Sequence, residues 1–315
     1  MPNFWRHRRR STTAALPVLA LASALALAGC ATSAEPAEPA DDRPVVLTTF
    51  TVLADLAQNV AGEHLRVESI TKVGSEIHGY EPTPGDLRTA ASADLLLDNG
   101  LGLEAWFAQF IEQLDVPHVV LGDTVTPIPI DGDAAAGAPN PHAWMSAAEA
   151  EGYVATIAAA FADLDPEHAE DFAANAETYT AELRSVHDEL LAALAELPQN
   201  HRALVTCEGA FSYLARDAGL TEHYLWPVNA EQEATPQQIA ATIDFVAENE
   251  VPAVFCESTV SDRAMQQVVE ATGTTFGGTL YVDSLSAADG PVPSYLDLLR
   301  HDVELIIAGL SGSSS

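Results

Sequence analysis

The stretch that decides the fold is DPEHAEDFAANAETYTAELRSVHDELLAALAELP, which runs from Asp165 to Pro198. Asp165 suits an N-cap, Pro166 suits the first helical turn, and Pro198 ends the run. Apolar side chains recur at steps of four and three residues, at Phe172, Ala176, Tyr179, Leu183, Val186, Leu190, Leu194 and Leu197. The pattern predicts one amphipathic helix over residues 166–197, about 48 Å long. No glycine interrupts it, so it can join two lobes with little freedom to hinge.

Short apolar or β-branched runs alternate with helical patterns on both sides of this helix. The predicted strands span residues 45–50, 65–73, 94–98, 118–121, 203–206, 251–255 and 279–282. The other predicted helices span residues 52–61, 84–93, 103–114, 211–218, 236–248, 264–272 and 295–310. Such alternation is typical of parallel sheets with helices on both faces. We therefore predict an α/β fold of two lobes, residues 44–164 and 199–310, each a parallel sheet flanked by helices. The long helix within residues 165–198 bridges them.

The chain is strongly acidic. Its 315 residues include 46 Asp and Glu against 13 Lys and Arg, which gives a net charge of −33. Nucleic-acid binding needs Lys and Arg to displace the counterions of the phosphates, so this charge argues against it. The charge also argues against a polybasic attachment to anionic lipid. Hydrophobic residues make up 48% of the chain, which argues against disorder.

Residues 1–29 have the pattern of an export signal peptide. A basic start precedes an apolar stretch over residues 14–28 that is too short to span a membrane comfortably. The stretch ends in LAGC at residues 27–30, which resembles the lipobox of bacterial lipoproteins. The resemblance implies cleavage before Cys30 and acylation of its thiol, which anchors the protein to the outer face of the cytoplasmic membrane. The alternative is an ordinary secretory signal with a chance cysteine, and Sec and Tat export are both open.

Both ends of the mature chain have compositions typical of flexible segments. Residues 30–43 are small, acidic and punctuated by proline, as expected of a tether between a lipid and a folded domain. Residues 311–315, SGSSS, are expected to form a disordered tail. We expect the chain between these segments to be folded.

Two cysteines remain in the predicted folded part, Cys207 and Cys256. An even number of cysteines outside the cytoplasm is consistent with a disulfide. Both cysteines follow strand-like apolar runs, so they can pair if those strands are neighbours. Two buried free thiols are the alternative, because the sequence does not give the distance between the sulfur atoms.

Five residues with metal-binding or acid–base side chains follow predicted strands or lie in loops: His78, His142, Glu208, Glu257 and Asp283. Ligands of open parallel sheets bind beyond the carboxyl ends of the strands, so these side chains can converge in one cleft. His78, His142, Glu208 and Asp283 are separated by 64, 66 and 75 residues, which matches no local metal motif. Each also has a plainer interpretation, because loop histidines often serve hydrogen bonding and acids after strands often cap helices. Glu257 is the reserve candidate.

Several motifs resemble those of one family of bacterial transport proteins. They are HGYEPTP (78–84), NPHAW (140–144), EGAFSY (208–213) and YVDS (281–284). Residues 45–310 are similar to the metal-binding lipoproteins that serve as solute-binding components of ABC importers for manganese, iron or zinc. The resemblance implies a protein without catalysis, with two lobes joined by a rigid helix. It implies a metal between the lobes, bound by His78, His142, Glu208 and Asp283. The implied partners are an ABC permease with its ATPase and, through the lipid anchor, the membrane, and we expect a monomer.

Position 208 discriminates between metals within this family. Zinc-type members usually carry histidine there, whereas manganese-type members resemble TCEGAF (206–211) and PVNAEQEATP (227–236) of this chain. The loop over residues 130–138 also lacks the histidines that many zinc-type members have. Two imidazoles and two carboxylates suit Mn²⁺ or Fe²⁺ better than tetrahedral Zn²⁺, although Zn²⁺ binds such sites more tightly. We expect Mn²⁺, with Fe²⁺ or Zn²⁺ as alternatives.

Two alternatives to metal transport are a metallohydrolase at the cell surface and a surface adhesin that acts in cell adhesion. A hydrolase needs an open coordination position and a nearby general base, and four candidate ligands leave no evident spare base. An adhesin should show exposed apolar or repeated segments, and the sequence shows neither. We therefore favour metal capture for transport.

Two neighbours of the predicted site have expected roles of their own. Trp144, beside His142, is expected to fix its loop by packing. Glu104 is expected to serve helix capping or contacts between lobes, with support of the metal site as the alternative.

Overall fold

The computed structural model describes residues 41–111, 114–132, 135–228 and 234–312. The predicted signal peptide, the predicted acylation site Cys30 and nearly all of the predicted tether lie outside the described residues. Most of the predicted tail lies outside them as well. Within the described ranges, no helix combines the length and the apolar character needed to cross a membrane.

The N-terminal half of the chain forms a four-stranded parallel sheet with the strand order β2-β1-β3-β4. Its elements are β1 (Val45–Thr48), α1 (Thr51–Ala61), β2 (Arg66–Ser69), α2 (Pro84–Ala90), β3 (Leu95–Asp98), α3 (Ala105–Ile111) and β4 (His118–Val120). Val46 of β1 is paired with Val67 on one side and with Leu95 on the other. Val46 and Leu95 enter one apolar cluster, whereas Leu47 and Leu96 enter another. Both faces of the sheet are therefore covered, which explains the continuous apolar runs of these strands.

Two long helices follow, α4 (Ala147–Leu164) and α5 (Ala169–Ala195). Helix α4 is absent from the predicted elements. Alanine fills eight of its 18 positions and occurs on both its buried and its exposed sides, so the contrast between polar and apolar faces is weak. The start of α4 has a clear signal nonetheless, because the Ser146 side chain accepts a hydrogen bond from the Glu149 N–H.

The observed α5 agrees with the predicted helix except at its ends. Pro166–His168 forms a 3₁₀ turn and the α-helix begins at Ala169. Asp165 does not cap the helix, because its carboxylate pairs with the His168 ring at 2.7 Å. The helix ends at Ala195, so its length is about 40 Å. Seven of the eight apolar positions predicted to face the core are buried, and Leu197 packs against the core partly buried.

The C-terminal half contains two two-stranded parallel sheets, β5-β6 and β7-β8, where the sequence analysis predicts one. Its elements are β5 (Ala203–Glu208), α6 (Ser212–Ala218), β6 (Thr221–Trp226), α7 (Pro236–Glu248), β7 (Ala253–Glu257), α8 (Arg263–Thr272), β8 (Thr275–Leu280) and α9 (Tyr295–Leu310). β5 lies beside β7. The Glu208 N–H donates to the Glu257 side chain at 3.1 Å, and Cys207 is bonded to Cys256. Side chains thus link the two sheets at the carboxyl ends of β5 and β7.

Strand β6 is absent from the predicted elements and β8 is displaced from its predicted position. β6 has the sequence TEHYLW, in which polar residues come first and no apolar alternation is visible. β8 begins four residues before the predicted strand over 279–282 and contains two glycines, which weaken a strand pattern. A β-carbon at Gly277 would collide with the Phe255 ring. The glycine therefore allows β8 to approach that side chain.

One apolar core runs through both halves of the chain. It contains buried side chains of α1, β3, α4 and α5 together with those of β7 and α9. α5 packs against α1 and α4 of the N-terminal half and against α9 of the C-terminal half. A close-packed core that both halves share resists their separation, which supports the expected rigid joint at α5.

We expect Leu183→Ala in α5 to lower the free energy of unfolding by about 2–5 kcal/mol, because it leaves a cavity at a fully buried position. Leu191→Ala is the matched control on the same helix. Leu191 is 37% exposed, and its substitution should change the free energy by about 0.5 kcal/mol or less. Chemical denaturation of the mature protein measures both. Equal effects would show that the buried face of α5 is not central to the core.

Candidate metal centre

The four predicted metal ligands come from separate places in the chain. His78 lies in the loop between β2 and α2, and His142 directly precedes a 3₁₀ turn, Ala143–Met145. Glu208 is the last residue of β5, and Asp283 lies three residues beyond the end of β8. Parallel strands end on a common edge, so these positions bring the four side chains together where the sequence analysis expects them.

The nitrogen and oxygen atoms of these side chains form a small cluster. The Nε2 atoms of His78 and His142 are 3.0 Å apart. Glu208 Oε1 lies 3.4 Å from His78 Nε2 and 3.6 Å from His142 Nε2. Asp283 Oδ1 lies 3.9 Å and 4.0 Å from the same two nitrogens. Atoms that lie about 2.1 Å from one cation are roughly 3–4 Å from one another, so each of these pairs has the spacing expected of ligands of one metal. His78, His142 and Asp283 each offer a ligand atom within 4.8 Å of the other two.

The cluster is shielded from water. The side chains of His142, Glu208 and Asp283 are 0% exposed, and that of His78 is 7% exposed. Asp283 Oδ1 is buried and has no hydrogen-bond partner among the described residues. A buried carboxylate oxygen without a donor is costly, and a cation facing it removes that cost. The residues therefore fit a divalent cation, whose charge the two carboxylates balance.

Burial sets the protonation states of these side chains. It lowers the pKa of His78. It lowers the pKa of His142 well below its ordinary value, and the neighbouring His78 adds to this effect. Both imidazoles are therefore neutral near neutral pH and offer lone pairs to a cation. Burial raises the pKa of Asp283 to about 7. Because a bound cation must displace this proton, binding weakens as the pH falls.

Asn140 orients the imidazole of His142. Its Oδ1 accepts the backbone N–H of His142 at 3.0 Å and lies 2.9 Å from His142 Nδ1. Its Nδ2 donates to the Gly209 carbonyl at 2.7 Å and to Ser212 Oγ at 3.2 Å. Because the amide oxygen faces Nδ1, the ring proton is placed on Nδ1 and the lone pair of Nε2 faces the other candidate ligands.

Trp144 ties the loop of His142 to the C-terminal half. It is fully buried, and its Nε1 donates to the Val282 carbonyl at 3.0 Å, directly before Asp283. The hydroxyl of Tyr295 donates to the Trp144 carbonyl. These contacts confirm the predicted packing role of Trp144.

Ser284 forms a second link between the halves, beside Asp283. Its Oγ accepts the Gly74 N–H at 2.6 Å, in the loop that leads to His78. The next residue, Leu285, donates its N–H to Thr51 Oγ1 at 3.0 Å. The Ser284 hydroxyl thus holds the segment of Asp283 to the loop of His78, and the Thr51 hydroxyl holds it to α1.

The other carboxylates considered are buried but bind elsewhere. Glu257, the reserve candidate, accepts the Glu208 N–H at 3.1 Å, and burial raises its pKa to about 8. Glu104 accepts from Thr49 Oγ1 and from the Asn99 N–H at 2.8 Å each, which holds the loop after β3. Glu104 therefore stabilises this loop and is not part of the metal centre.

Cys207 and Cys256 precede Glu208 and Glu257 on the neighbouring strands β5 and β7. They are joined in a disulfide, with Cα atoms 4.9 Å apart, within the ordinary range for such bonds. Of the two alternatives left open by the sequence, this geometry favours the disulfide. Cys207 lies in an apolar cluster, and its side chain points to the opposite side of β5 from Glu208.

Known proteins share this architecture. Residues 46–309 match the ZnuA family, described as zinc-uptake complex component A, periplasmic. The chain belongs to the ZnuA family. The iron-binding protein YfeA of Yersinia pestis is 49% identical over 265 residues, which cover 84% of this chain and 85% of YfeA. The manganese-binding lipoprotein MntA of Halalkalibacterium halodurans is 32% identical over 289 residues, which cover 91% of this chain and 95% of MntA.

A solved structure gives the same fold. The manganese-bound periplasmic metal-binding protein of Candidatus Liberibacter asiaticus aligns with a TM-score of 0.80 and 36% identity, over 85% of this chain and 100% of that chain. ZnuA-family membership confirms the predicted resemblance and the two-lobed α/β fold. ZnuA-family membership makes this chain the periplasmic metal-binding component of a metal-uptake complex. The names of its relatives differ in the metal.

Asn140 is a residue of this candidate centre that no sequence pattern singles out. It stands in the motif NPHAW, two residues before His142, but receives no role. A signal was present, because a metal-binding histidine usually needs a hydrogen-bond partner on its second nitrogen. A short polar side chain beside the histidine is a candidate for that partner.

We expect Asn140→Ala to weaken metal binding by about 10–100-fold, because His142 loses the partner that orients it. Asn59→Ala is the control, since Asn59 is exposed on α1 and bonds only within that helix. Calorimetric titration with Mn²⁺ measures the affinity, and the melting temperature of the metal-free variant reports any loss of stability. An affinity equal to that of the control would rule out this role for Asn140.

Proposed function

We propose that this protein captures Mn²⁺ outside the cytoplasmic membrane and delivers it to an ABC permease driven by an ATPase. The proposed ligands are His78, His142, Glu208 and Asp283. The observation that carries the proposal is the convergence of two carboxylate oxygens on a pair of imidazole nitrogens, at separations of 3.0 to 4.0 Å. The metal is the cargo of this protein.

The chemistry of the ligand set supports Mn²⁺ or Fe²⁺ over Zn²⁺. Glu208 and Asp283 offer hard carboxylate oxygens, and a carboxylate can bind through both oxygens and raise the coordination number above four. Zn²⁺ prefers four ligands in a tetrahedron and softer donors. Zn²⁺ nevertheless binds nitrogen and oxygen sites more tightly than Mn²⁺, so affinity alone does not identify the cargo.

The relatives leave three metals to consider. YfeA is named for iron and MntA for manganese, whereas the family description names zinc. We use Glu208 to choose among these metals, because a carboxylate at this position in place of histidine favours the harder cations Mn²⁺ and Fe²⁺ over Zn²⁺. A zinc-binding protein of the same family is the alternative.

The same geometry supports capture without catalysis. A hydrolytic metal site needs an open position for water and a general base within reach. Three of the four proposed ligands are fully buried, and the neighbouring carboxyl of Glu257 is engaged with the Glu208 N–H. The centre is thus built to enclose a cation.

We also propose how the protein is held at the membrane. Cleavage before Cys30 and acylation of its thiol would attach it to the outer face of the cytoplasmic membrane, through the tether over residues 30–43. The LAGC pattern at residues 27–30 supports this anchor. We propose that the tethered protein acts as a monomer.

We expect His78→Ala and Asp283→Ala each to weaken Mn²⁺ binding by more than about 100-fold, since even residues that only support ligands cost about 10–100-fold. His187→Ala and Asp289→Ala are matched controls away from the centre, on α5 and on an exposed loop. Calorimetric titration gives the affinity and the stoichiometry, and circular dichroism checks the fold. Unchanged binding in both ligand variants would remove these residues from the site.

The cargo itself can be identified from native cells. We expect metal analysis of the protein recovered from metal-replete cells to find manganese, because cellular supply rather than affinity decides which metal is loaded. If iron predominates, the preference for a harder cation than Zn²⁺ stands, but the cargo is iron and not manganese. Consistent zinc occupancy, together with zinc starvation when the gene is deleted, would contradict the manganese proposal and support the zinc alternative.

A further inference from the structure

Two residues of the C-terminal half lie behind Asn140 and complete a line of hydrogen bonds that ends at His142. Asn140 Nδ2 donates to Ser212 Oγ at 3.2 Å, and the Ser212 hydroxyl donates to Glu222 Oε2 at 2.6 Å. Glu222 Oε1 accepts the Phe211 N–H at 3.2 Å, which fixes the carboxylate in place. Ser212 and Glu222 are outside the proposed ligand set.

When Glu222 is ionised this line has a direction, because a carboxylate accepts hydrogen bonds and does not donate them. Glu222 therefore accepts a hydrogen bond from the Ser212 hydroxyl, and the lone pairs of Ser212 face Asn140. The NH₂ group of Asn140 turns toward those lone pairs, and its oxygen turns toward His142 Nδ1, 2.9 Å away. Since that oxygen can only accept, Nδ1 holds the ring proton and Nε2 keeps its lone pair.

The Gly209 carbonyl favours the same orientation of the Asn140 amide as Ser212 does. It accepts from the same NH₂ group of Asn140 at 2.7 Å, so it also favours this orientation of the amide. If the amide turned over, its oxygen would face the Gly209 carbonyl and its NH₂ would face His142 Nδ1. Ser212 therefore strengthens an orientation that Gly209 already favours, and its loss should have a moderate effect.

We propose that Ser212 and Glu222 are positioning residues of the metal centre, which orient Asn140 and thereby hold His142 with its proton on Nδ1. This inference rests on the proposed function, because it takes His142 as a ligand. Ser212 begins α6 and Glu222 lies in β6, opposite Leu204. A histidine supplied by the N-terminal half is thus oriented by two elements of the C-terminal half.

The test compares Ser212→Ala with Ser185→Ala in the mature chain. Ser185 is the matched control because its hydroxyl also donates to a glutamate, Glu189 Oε1 at 3.0 Å, but on the exposed side of α5. Long-range ¹H–¹⁵N correlation spectra of the metal-free protein report which nitrogen of His142 holds the proton. The spectra are recorded at about pH 8, because burial raises the pKa of Glu222 to about 7 and the carboxylate must be ionised.

We expect Ser212→Ala to shift His142 toward the form with the proton on Nε2 and to weaken Mn²⁺ binding about tenfold, the lower end of the range for residues that support ligands. Ser185→Ala should change neither property. Ser212→Thr keeps the hydroxyl and should retain both. An unchanged His142 spectrum in Ser212→Ala, or the same loss of affinity in Ser212→Thr, would overturn the proposal.

His142→Ala separates this inference from the proposed function. If that variant binds Mn²⁺ as tightly as the unmodified protein, the proposed ligand set is wrong, and the inference falls with it. If His142→Ala loses binding while Ser212→Ala keeps both its spectrum and its affinity, the ligand set stands and the positioning role is overturned.

Discussion

Two carboxylates buried beside two neutral imidazoles form an arrangement that needs a positive charge at its centre. Charge repulsion and lost hydration make such a cluster costly, and the buried Oδ1 of Asp283 has no hydrogen-bond donor among the described residues to offset that cost. A divalent cation removes the penalty and balances both charges. The surrounding structure can be understood as the means of holding these side chains close together in spite of their repulsion.

The fold meets this requirement by drawing two of the proposed ligands from each half and joining the halves by hydrogen bonds directly beside the cluster. Strand ends deliver Glu208 and the segment of Asp283, whereas loops of the N-terminal half deliver His78 and His142. The bond from Trp144 to the Val282 carbonyl joins the two sets within one residue of Asp283. A core shared by both halves keeps these contacts in register, so the donor atoms are positioned before the cation arrives.

Patterns that repeat within one element could be predicted from the sequence, and contacts between distant elements could not. The buried face of α5 was predicted because a helix repeats every 3.6 residues. The alanines of α4 weaken its helical pattern, so α4 was not predicted, and the glycines of β8 weaken its strand pattern, so β8 was displaced. Strand ends and the family resemblance together pointed to the proposed ligands. The bonds from Asn140 to Gly209 and Ser212 span 69 and 72 residues, and no local pattern encodes them.

The shared core around α5 restricts how the two halves can move apart. Separating the halves as rigid bodies would expose apolar side chains of α1, α5 and α9 to water at the same time. The free-energy cost is roughly 25 cal/mol for each Å² of apolar surface exposed. His78 is the least buried of the four proposed ligands at 7% exposure, and it lies in the loop between β2 and α2. Moving this loop alone would displace one proposed ligand and expose the core side chain of Ile77, which costs less than exposing the apolar faces of three helices.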